Sequence, residues 1–206
     1  PCGTLFPYTT LFRSMPDPNE VLLIGDSISI GYTPPVAELL AGAFDVTHHE
    51  GNAGDSGDLR AELDSLLAAG GEPGVIHFNV GLHDLKRKRP EGTLQVELKD
   101  FRVNLRAIVE RLQATGARLI WATITPVIGK RHAAIKPFDR RQVDVEAYNA
   151  AAWEIIAAAG IAVNDLHALV EAAGAAELLC EDGVHFTDDG YRRLARAVAA
   201  AIRTGA

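Results

Sequence analysis

The sequence predicts an α/β protein, in which a central, mainly parallel five-stranded sheet lies between two layers of helices. Two observations predict this three-layer α/β/α sandwich. Short apolar runs of strand length recur along the chain, and stretches typical of amphipathic or alanine-rich helices separate them. Glycines stand where helical stretches end, as at Gly116 and Gly160. Strands that alternate with helices in this way form parallel sheets covered on both faces.

The predicted strands and helices follow one another in a regular order. The five strands cover residues 21–24, 45–48, 75–79, 118–122 and 161–163. The clearest helices cover residues 58–69, 94–114, 143–159 and 188–203. The arrangement is that of a flavodoxin-like sheet, and the ligands of such sheets bind beyond the carboxyl ends of the strands. We therefore look for functional residues in the turns that follow the first four strands.

The composition fits one folded domain. Of the 206 residues 48% are hydrophobic and 23% are charged, and no repeat or Pro/Gly/Ser linker divides the chain. No apolar run approaches the roughly 20 residues needed to cross a bilayer. The net charge of −7 disfavours nonspecific attraction to nucleic acid and to anionic membranes. We expect neither as a partner, and the sequence leaves the oligomeric state open.

The first fourteen residues differ in character from the rest. Residues 1–14 (PCGTLFPYTTLFRS) follow no periodicity and resemble translated sequencing-adapter read-through. Met15 is the only methionine, and we expect it to be the true start, with a disordered tail before it and one domain over residues 15–206. The tail lacks the ordered regions of a secretory signal, so a cytoplasmic location is the default expectation.

A first candidate turn, Gly25-Asp26-Ser27-Ile28-Ser29, directly follows the first strand. A serine hydroxyl becomes a good nucleophile when a base takes its proton, and amides of a following helix can stabilise an oxyanion. Position 29 is serine, so the turn is not the G-x-S-x-G elbow of the α/β-hydrolases. Taken alone, the turn is equally compatible with an Asx or Ser turn that caps a helix.

A second candidate loop, DGVHFTDDGY at residues 182–191, precedes the last helix. An aspartate three residues before a histidine can orient the imidazole, so Asp182 can prepare His185 to act as a base toward Ser27. The alternative is a capping loop with a surface histidine, in which Thr187 is the N-cap of the last helix.

Four motifs together resemble the SGNH (GDSL-type) hydrolase family. In chain order they cover residues 25–27, 51–59, 81–85 and 182–191 and resemble blocks I, II, III and V. The segment Thr125-Pro126-Val127 also resembles the one that follows the fourth strand in that family. The resemblance covers residues 21–202 with the motifs in the right order. Four ordered motifs are far more specific than a single tripeptide.

The resemblance implies a serine esterase that uses no metal and no other cofactor. Ser27 is then the nucleophile, His185 the general base and acid, and Asp182 the residue that orients His185. The oxyanion hole would combine the backbone N–H groups of Ser27 and Gly57, the glycine that aligns best with block II, with a side chain from block III.

Block III departs from the family pattern G-x-N-D, because residues 81–85 read GLHDL and place His83 where asparagine is expected. A neutral imidazole has one N–H and can donate to an oxyanion only in the right tautomer. Our hypothesis is that His83 replaces the asparagine as third oxyanion donor. The alternative is that His83 fills space and leaves two backbone donors.

Two basic loops follow the third and fourth strands, at residues 86–89 and 129–141. Both are expected at the rim of one cleft, although the whole chain is acidic. We hypothesise that the cleft accepts an anionic ester, such as an acylated uronic acid or a phosphorylated compound. The possible substrate contacts are Asp26, Asp84, Lys86 and Arg87. The alternative is that the basic loops only aid solubility.

The substrates implied by the family are acetylated sugars, aryl esters, lysophospholipids and thioesters. The loops near the expected cleft are polar or basic, which favours short acyl groups, above all acetyl, on a small-molecule or oligosaccharide ester. Lysophospholipase or thioesterase activity remains the alternative within the family. Trp121 and Trp153 could stack on sugars, but their places on a strand and a helix favour core packing.

Two further alternatives come from outside this reaction class. A metal-dependent hydrolase would need ligands of the types found at His48, His49, Glu50, His77, His83, Asp84, Asp182 and His185. None of these has a metal-motif spacing. A non-catalytic binding module is possible because a fold does not determine function. The complete set of Ser27, Asp182 and His185 favours the esterase over both.

Overall fold

The computed structural model describes residues 16–205. The tail expected over residues 1–14, and Met15 as the start, lie outside the described residues. The strands are β1 (Asp17–Ile24), β2 (Asp45–His48), β3 (Pro73–Phe78), β4 (Arg87–Lys88), β5 (Arg118–Ala122), β6 (Phe138–Asp139) and β7 (Ala162–Asn164). The helices are α1 (Ser27–Leu40), α2 (Ser56–Ala69), α3 (Leu98–Gln113), α4 (Gly129–Ile135), α5 (Gln142–Ala158), α6 (Leu166–Ala173), α7 (Ala175–Leu178) and α8 (Asp188–Thr204).

Five strands form one parallel sheet in the order β2-β1-β3-β5-β7. In the register of the central strands, Val21 of β1 lies opposite Val46 on one side and Val75 on the other. The second half of β1 and nearly all of β3 are buried, as continuous apolar runs in a two-sided parallel sheet should be. The predicted five-stranded sheet is confirmed.

Helices cover both faces of this sheet. The chain moves one way from β1 to β2 and the other way from β2 through β3 and β5 to β7. Since such crossovers are right-handed, α1 lies on the face opposite α2, α3 and α5. α8 packs against α1, while α2 packs against α3 and α3 against α5. The predicted three-layer α/β/α sandwich is therefore confirmed.

The two tryptophans have different environments. Trp121 on β5 is fully buried, as expected. Trp153 on α5 is 50% exposed, so the expectation of core packing is wrong for this residue. The difference arises because β5 is buried on both sides in the sheet, whereas a helix on the surface layer keeps one side in solvent.

A small antiparallel ribbon joins the two basic loops, and the sequence did not predict it. Arg87 of β4 pairs with Asp139 of β6, and Lys88 pairs with Phe138. The ribbon begins just after the turn that follows β3, so it extends the carboxyl edge of the main sheet. The two loops are thus one structural unit beside the predicted cleft.

No helix in the part of the chain that the structure describes is both long enough and apolar enough to span a bilayer.

Candidate active site

Ser27 is the first residue of α1, immediately beyond the carboxyl end of β1. Asp26 is the N-cap, and its Oδ1 accepts a hydrogen bond of 2.9 Å from the Ile28 N–H. Because the first amides of a helix have no intrahelical acceptor, the Ser27 N–H is free to serve a ligand. The helix dipole adds positive potential at the same point. The turn therefore presents a hydroxyl beside donors suited to negative charge.

Asp182 and His185 lie in the loop between α7 and α8. His185 contacts Ser27, although the two residues are 158 positions apart in the sequence. Asp182 Oδ1 accepts hydrogen bonds from the backbone N–H groups of Val184 and His185, at 3.0 and 2.9 Å. Asp182 Oδ2 lies 2.5 Å from His185 Nδ1, and His185 Nε2 lies 2.9 Å from Ser27 Oγ. The structure thus brings the three predicted residues into one continuous hydrogen-bonded chain.

The charge on Asp182 determines which ring nitrogen of neutral His185 carries the proton. Burial alone would raise the pKa of Asp182, but hydrogen bonds from the His185 side chain and from the Val184 and His185 amides lower it to about 2. An ionised carboxylate can only accept hydrogen bonds, so His185 Nδ1 carries a proton. In neutral His185, Nε2 therefore presents a lone pair to the Ser27 hydroxyl, as a general base must.

His83 lies in the turn after β3, half-buried between charged groups. Its Nδ1 is 3.1 Å from Lys86 Nζ. Burial, followed by the nearby Lys86 charge, lowers the pKa of His83 to about 4. Within residues 16–205, its Nε2 takes part in no hydrogen bond to another residue. His83 is therefore neutral near pH 7 and has one ring nitrogen uncommitted.

Gly57, which is predicted to supply an oxyanion donor, already uses its N–H within the protein. Its N–H donates a 2.9 Å hydrogen bond to Asp55 Oδ1, in the box that caps α2. Gly54 lies just before this capping box and has a φ of +67°. Its neighbour Ala53 donates to the Gly25 carbonyl at 3.0 Å, so this segment lies against the turn that carries Ser27.

A spacing visible in the sequence could have shown that Gly54 lies before helix α2 and Gly57 inside its first turn. Asp55 and Asp58 stand three residues apart and form a reciprocal capping box, so α2 begins at Ser56 rather than at Asp58. A helix start at Ser56 places Gly57 within the first turn, where Asp55 uses its amide.

Two carboxylates proposed as substrate contacts are structural instead, which corrects the predictions for Asp26 and Asp84. Both are buried. Asp84 accepts a 2.9 Å hydrogen bond from the Ser56 N–H and a second from the Ser56 hydroxyl. Burial raises the pKa of Asp84 to about 7, although the hydrogen bonds from Ser56 oppose the shift. Asp84 therefore ties the turn after β3 to the start of α2.

Most cations of the basic loops already have partners. Arg87 forms a bidentate ion pair with Asp144, with both distances 2.7 Å, so its prediction as a substrate contact is wrong. Arg89 pairs with Asp139 across the ribbon. Lys86, also predicted to contact substrate, is directed to His83. Arg89 thus joins the two loops to each other, and Arg87 joins the first loop to α5.

Arg140 is a candidate that the sequence did not single out within its basic loop. The residue is buried, its Nε donates to the Leu82 carbonyl at 2.8 Å, and its guanidinium lies 5.3 Å from the centre of the Phe138 ring. Burial lowers the pKa of Arg140 to about 10, while Asp26 and Asp182 oppose that shift. Among the described residues no hydrogen-bond partner faces its Nη atoms.

Possible metal ligands do not gather in one place. Among residues 16–205, no three side chains of histidine, cysteine, aspartate or glutamate are close enough together to hold a metal ion.

The chain matches the model of the GDSL-like lipase/acylhydrolase family over residues 23–193. This match includes Ser27, His83, Asp182 and His185. No curated protein sequence matches the chain.

Several solved structures share the fold. An acetyl xylan esterase, AlAXEase, is 20% identical with a TM-score of 0.72, over 88% of this chain and 98% of its own. A lipase/acylhydrolase from Enterococcus faecalis is 18% identical with a TM-score of 0.72, over 90% and 95% of the two chains. The acetylxylan esterase Axe2 from Geobacillus stearothermophilus is 17% identical with a TM-score of 0.70, over 92% and 96%.

Proposed function

Because the chain belongs to the GDSL-like lipase/acylhydrolase family, we propose that it is a serine esterase that forms an acyl-enzyme on Ser27. The observation that carries this proposal is the hydrogen-bonded chain from Asp182 through His185 to Ser27, with distances of 2.5 and 2.9 Å. A histidine held by a carboxylate and facing a serine hydroxyl is the arrangement that makes serine nucleophilic.

Ester hydrolysis proceeds in two steps at these residues. Ser27 Oγ attacks the carbonyl carbon while His185 Nε2 takes the hydroxyl proton, and His185 then returns this proton to the oxygen of the departing alcohol. Water next attacks the acyl group on Ser27, and His185 first accepts and then returns the proton. The ionised Asp182 stabilises the imidazolium that forms in both steps.

The oxyanion of each tetrahedral intermediate needs donors that already point toward it. In our proposal these are the N–H groups of Ser27 and Gly54, together with Nε2–H of His83. The Gly54 amide donates to Asn52 Oδ1 at 2.9 Å in the resting structure, and Asn52 is exposed and free to move away. Removal of one such donor typically raises the barrier by about 3 kcal/mol.

The role of His83 can be tested with His83→Ala on an ester that Ser27→Ala cannot hydrolyse. We expect kcat to fall by about 10²-fold or more, while His83→Asn, which restores an amide donor, retains more activity than His83→Ala. Full turnover by His83→Ala would show that His83 only fills space.

A short acyl group, above all acetyl on a carbohydrate or similar polar compound, is the substrate we propose. His83 and Arg140 both interact electrostatically with Asp26, the residue before Ser27, and polar groups near the hydroxyl suit a polar substrate better than a long hydrocarbon chain. Two of the structures with this fold are named acetyl xylan esterases. Their sequence identity to this chain is low, so the similarity shows a common fold and not a common substrate. Lysophospholipase or thioesterase activity is the alternative and requires longer acyl groups.

The first experiment compares hydrolysis of p-nitrophenyl acetate, butyrate and octanoate by the wild-type chain and by Ser27→Ala. We expect activity that is highest on acetate, falls with chain length and disappears in the variant. A serine-directed phosphonate should label Ser27 and abolish turnover, whereas a chelator should not. Preference for octanoate would favour the long-acyl alternative, and activity unchanged in Ser27→Ala would exclude the serine mechanism.

An acidic group on the substrate would find its partner in Arg140. The guanidinium is held by Leu82 and Phe138, while its Nη atoms have no acceptor among the described residues. A charge-assisted hydrogen bond contributes about 1.5–3 kcal/mol, which corresponds to roughly 10- to 100-fold in kcat/KM.

Acetylated glucuronic acid and the matching glucuronamide test this point, because the amide removes the charge, keeps nearly the same shape and adds no second ester. We expect kcat/KM to favour the acid, and Arg140→Met to remove that preference. The matched control is Arg141→Met, since Arg141 is exposed and adjacent in sequence. An equal kcat/KM for both compounds in the wild-type chain would contradict a role in anion recognition.

A further inference from the structure

The contact between Lys86 and His83 restricts where the imidazole can carry its proton. A lysine ammonium has three N–H donors and no lone pair. At 3.1 Å from Lys86 Nζ, His83 Nδ1 must therefore be the acceptor. A neutral imidazole that accepts at Nδ1 carries its single proton on Nε2. The contact selects the tautomer in which Nε2 is a donor.

The surroundings keep His83 in its neutral form, so the choice of tautomer matters. Burial, together with the charges of Lys86 and Arg140, lowers the pKa of His83 to about 4. Asp26 and Asp55 oppose this shift and do not reverse it. An imidazolium would donate from both nitrogens, but near neutral pH a single N–H is present and its position decides whether His83 can donate.

Lys86 is held in place by its own loop and by the ribbon. Its backbone N–H donates to the His83 carbonyl at 3.3 Å, and its carbonyl accepts from the Gln95 N–H at 2.7 Å. Its ammonium lies 5.6 Å from the centre of the Phe138 ring on β6. The main chain of Lys86 is thus fixed by hydrogen bonds, and its ammonium lies over the Phe138 ring while it faces His83.

We propose that Lys86 is a positioning residue that keeps the proton of His83 on Nε2, so that an imidazole can replace an amide in the oxyanion hole. This inference rests on the proposed role of His83 as an oxyanion donor. Lys86 does not touch the reacting atoms; it acts through His83 alone.

The direct test is ¹⁵N NMR of the histidine rings in the full chain, with His83 assigned by comparison with His83→Asn. In the wild-type chain we expect an unprotonated Nδ1 and a protonated Nε2 near pH 7.5. Lys86→Arg should leave this pattern unchanged, because a guanidinium also has donors only. Lys86→Glu should move the proton to Nδ1, because a carboxylate accepts from it. A merely structural role of Lys86 would not move the proton.

The kinetic test uses the same substitutions on p-nitrophenyl acetate. Lys86→Glu should lower kcat by about 10²-fold, the usual effect of removing one oxyanion donor, with KM changed less than twofold. Lys86→Arg should restore most of kcat. In the His83→Asn background Lys86→Glu should have little effect, because an amide nitrogen always carries hydrogen. Lys88→Glu is the matched control, since Lys88 is exposed on the same ribbon and should leave kcat unchanged.

Two results would overturn the inference. One is a protonated Nδ1 in wild-type His83, and the other is an equal loss of kcat from Lys86→Glu in the His83 and the His83→Asn backgrounds. The NMR result does not require turnover, so it stands apart from the proposed esterase activity. If the expected tautomer is found while His83→Ala remains fully active, the donor role of His83 fails and Lys86 has no catalytic consequence.

Discussion

Because His83 stands where the family motif has asparagine, its ability to donate a hydrogen bond depends on a neighbouring side chain. An amide donates through a nitrogen that always carries hydrogen, whereas a neutral imidazole donates through one of two nitrogens. The Nδ1 of His83 faces Lys86 at 3.1 Å, which leaves Nε2 as the donor. In our proposal, one departure from the family motif therefore gives a function to a second side chain.

Asp182 is expected to contribute through orientation and charge. In Asp182→Asn the amide can present an N–H to His185 Nδ1, and the histidine then takes the tautomer that cannot accept the Ser27 proton. We expect kcat to fall by about 10⁴-fold, with KM and the free energy of unfolding little changed. A steady-state assay on p-nitrophenyl acetate measures this effect, and a loss below tenfold would argue against a triad.

Asp84 should make stability depend on pH. Its folded pKa of about 7 is above the ordinary value of 3.8 because it is buried. The stability associated with its protonated form is therefore fully present below about pH 4 and is lost as the pH rises through about 7. The side chain of the Asp84→Asn variant cannot ionise, so this variant does not lose stability in this way as the pH rises.

Urea unfolding of both proteins at pH 5 and pH 8 measures the contribution of Asp84. The free energy of unfolding of the wild type should fall relative to Asp84→Asn between these values, by at most about 1.4 kcal/mol per pH unit. Parallel pH curves for the two proteins would contradict the raised pKa of Asp84.

The start of α2 distinguishes two nearby glycines. At Gly54 the φ of +67° disfavours other residues, and an added Cβ would lie 2.4 Å from Asp58 Oδ2 in the capping box. At Gly57 an added Cβ would meet Asp55 Oδ1 at 3.1 Å, which requires only a small shift. Gly54 therefore needs to be glycine, and Gly57 does not.

We expect Gly54→Ala to destabilise the protein by about 1–3 kcal/mol and to lower kcat, because Gly54 lies beside the turn that carries Ser27. Gly57→Ala should keep kcat within about twofold and change stability by less than about 1 kcal/mol. Thermal unfolding and ester hydrolysis of the two variants, made side by side, check both. Equal damage from both substitutions would mean that the helix start is misassigned.

Helix α1 shows why some helices are harder to predict from sequence than strands are. It begins at Ser27 and contains Pro34 and Pro35, residues that remove backbone donors and normally interrupt a helix. Packing against α8 and the sheet maintains the helix in spite of them. Strands β2 and β5, by contrast, have the bounds that the sequence predicts.

The packing of α1 against α8 sets the distance between the two halves of the proposed catalytic site. Ser27 begins α1, and His185 lies three residues before α8. Gly31 of α1 faces Tyr191 of α8 so closely that an added Cβ would lie 2.2 Å from a carbon of the tyrosine ring. The close approach of the two helices therefore depends on the absence of a side chain at Gly31.

Gly31→Ala should destabilise the protein by about 1–3 kcal/mol, as overpacking does. It should also lower kcat more than it changes KM, because the helices that carry Ser27 and His185 are pushed apart. Adding Tyr191→Leu should restore part of both. Thermal unfolding and ester hydrolysis measure the two effects, and a single variant with normal kcat and stability would show that the tyrosine ring moves aside freely.

The sequence by itself determined the α/β class, the five parallel strands and the residues that form the hydrogen-bonded chain, Ser27, Asp182 and His185. Strand and helix periodicity is local, so it can be read along the chain before any contact is known. These three residues could be recognised because their motifs lie in short loops of fixed spacing, and the carboxyl ends of parallel strands bring such loops to one edge of the sheet.

Only the tertiary structure decided which polar groups are free to act. Asp84 and Arg87 belong to conspicuous motifs, yet both already have partners within the protein. Asp84 accepts hydrogen bonds from Ser56, and Arg87 forms an ion pair with Asp144. The lone pair of His83 is directed to Lys86. A hydrogen bond depends on the direction and distance of a partner that is often far away in sequence. Local pattern therefore predicts which residues reach the site, while three-dimensional packing determines which of their atoms remain available.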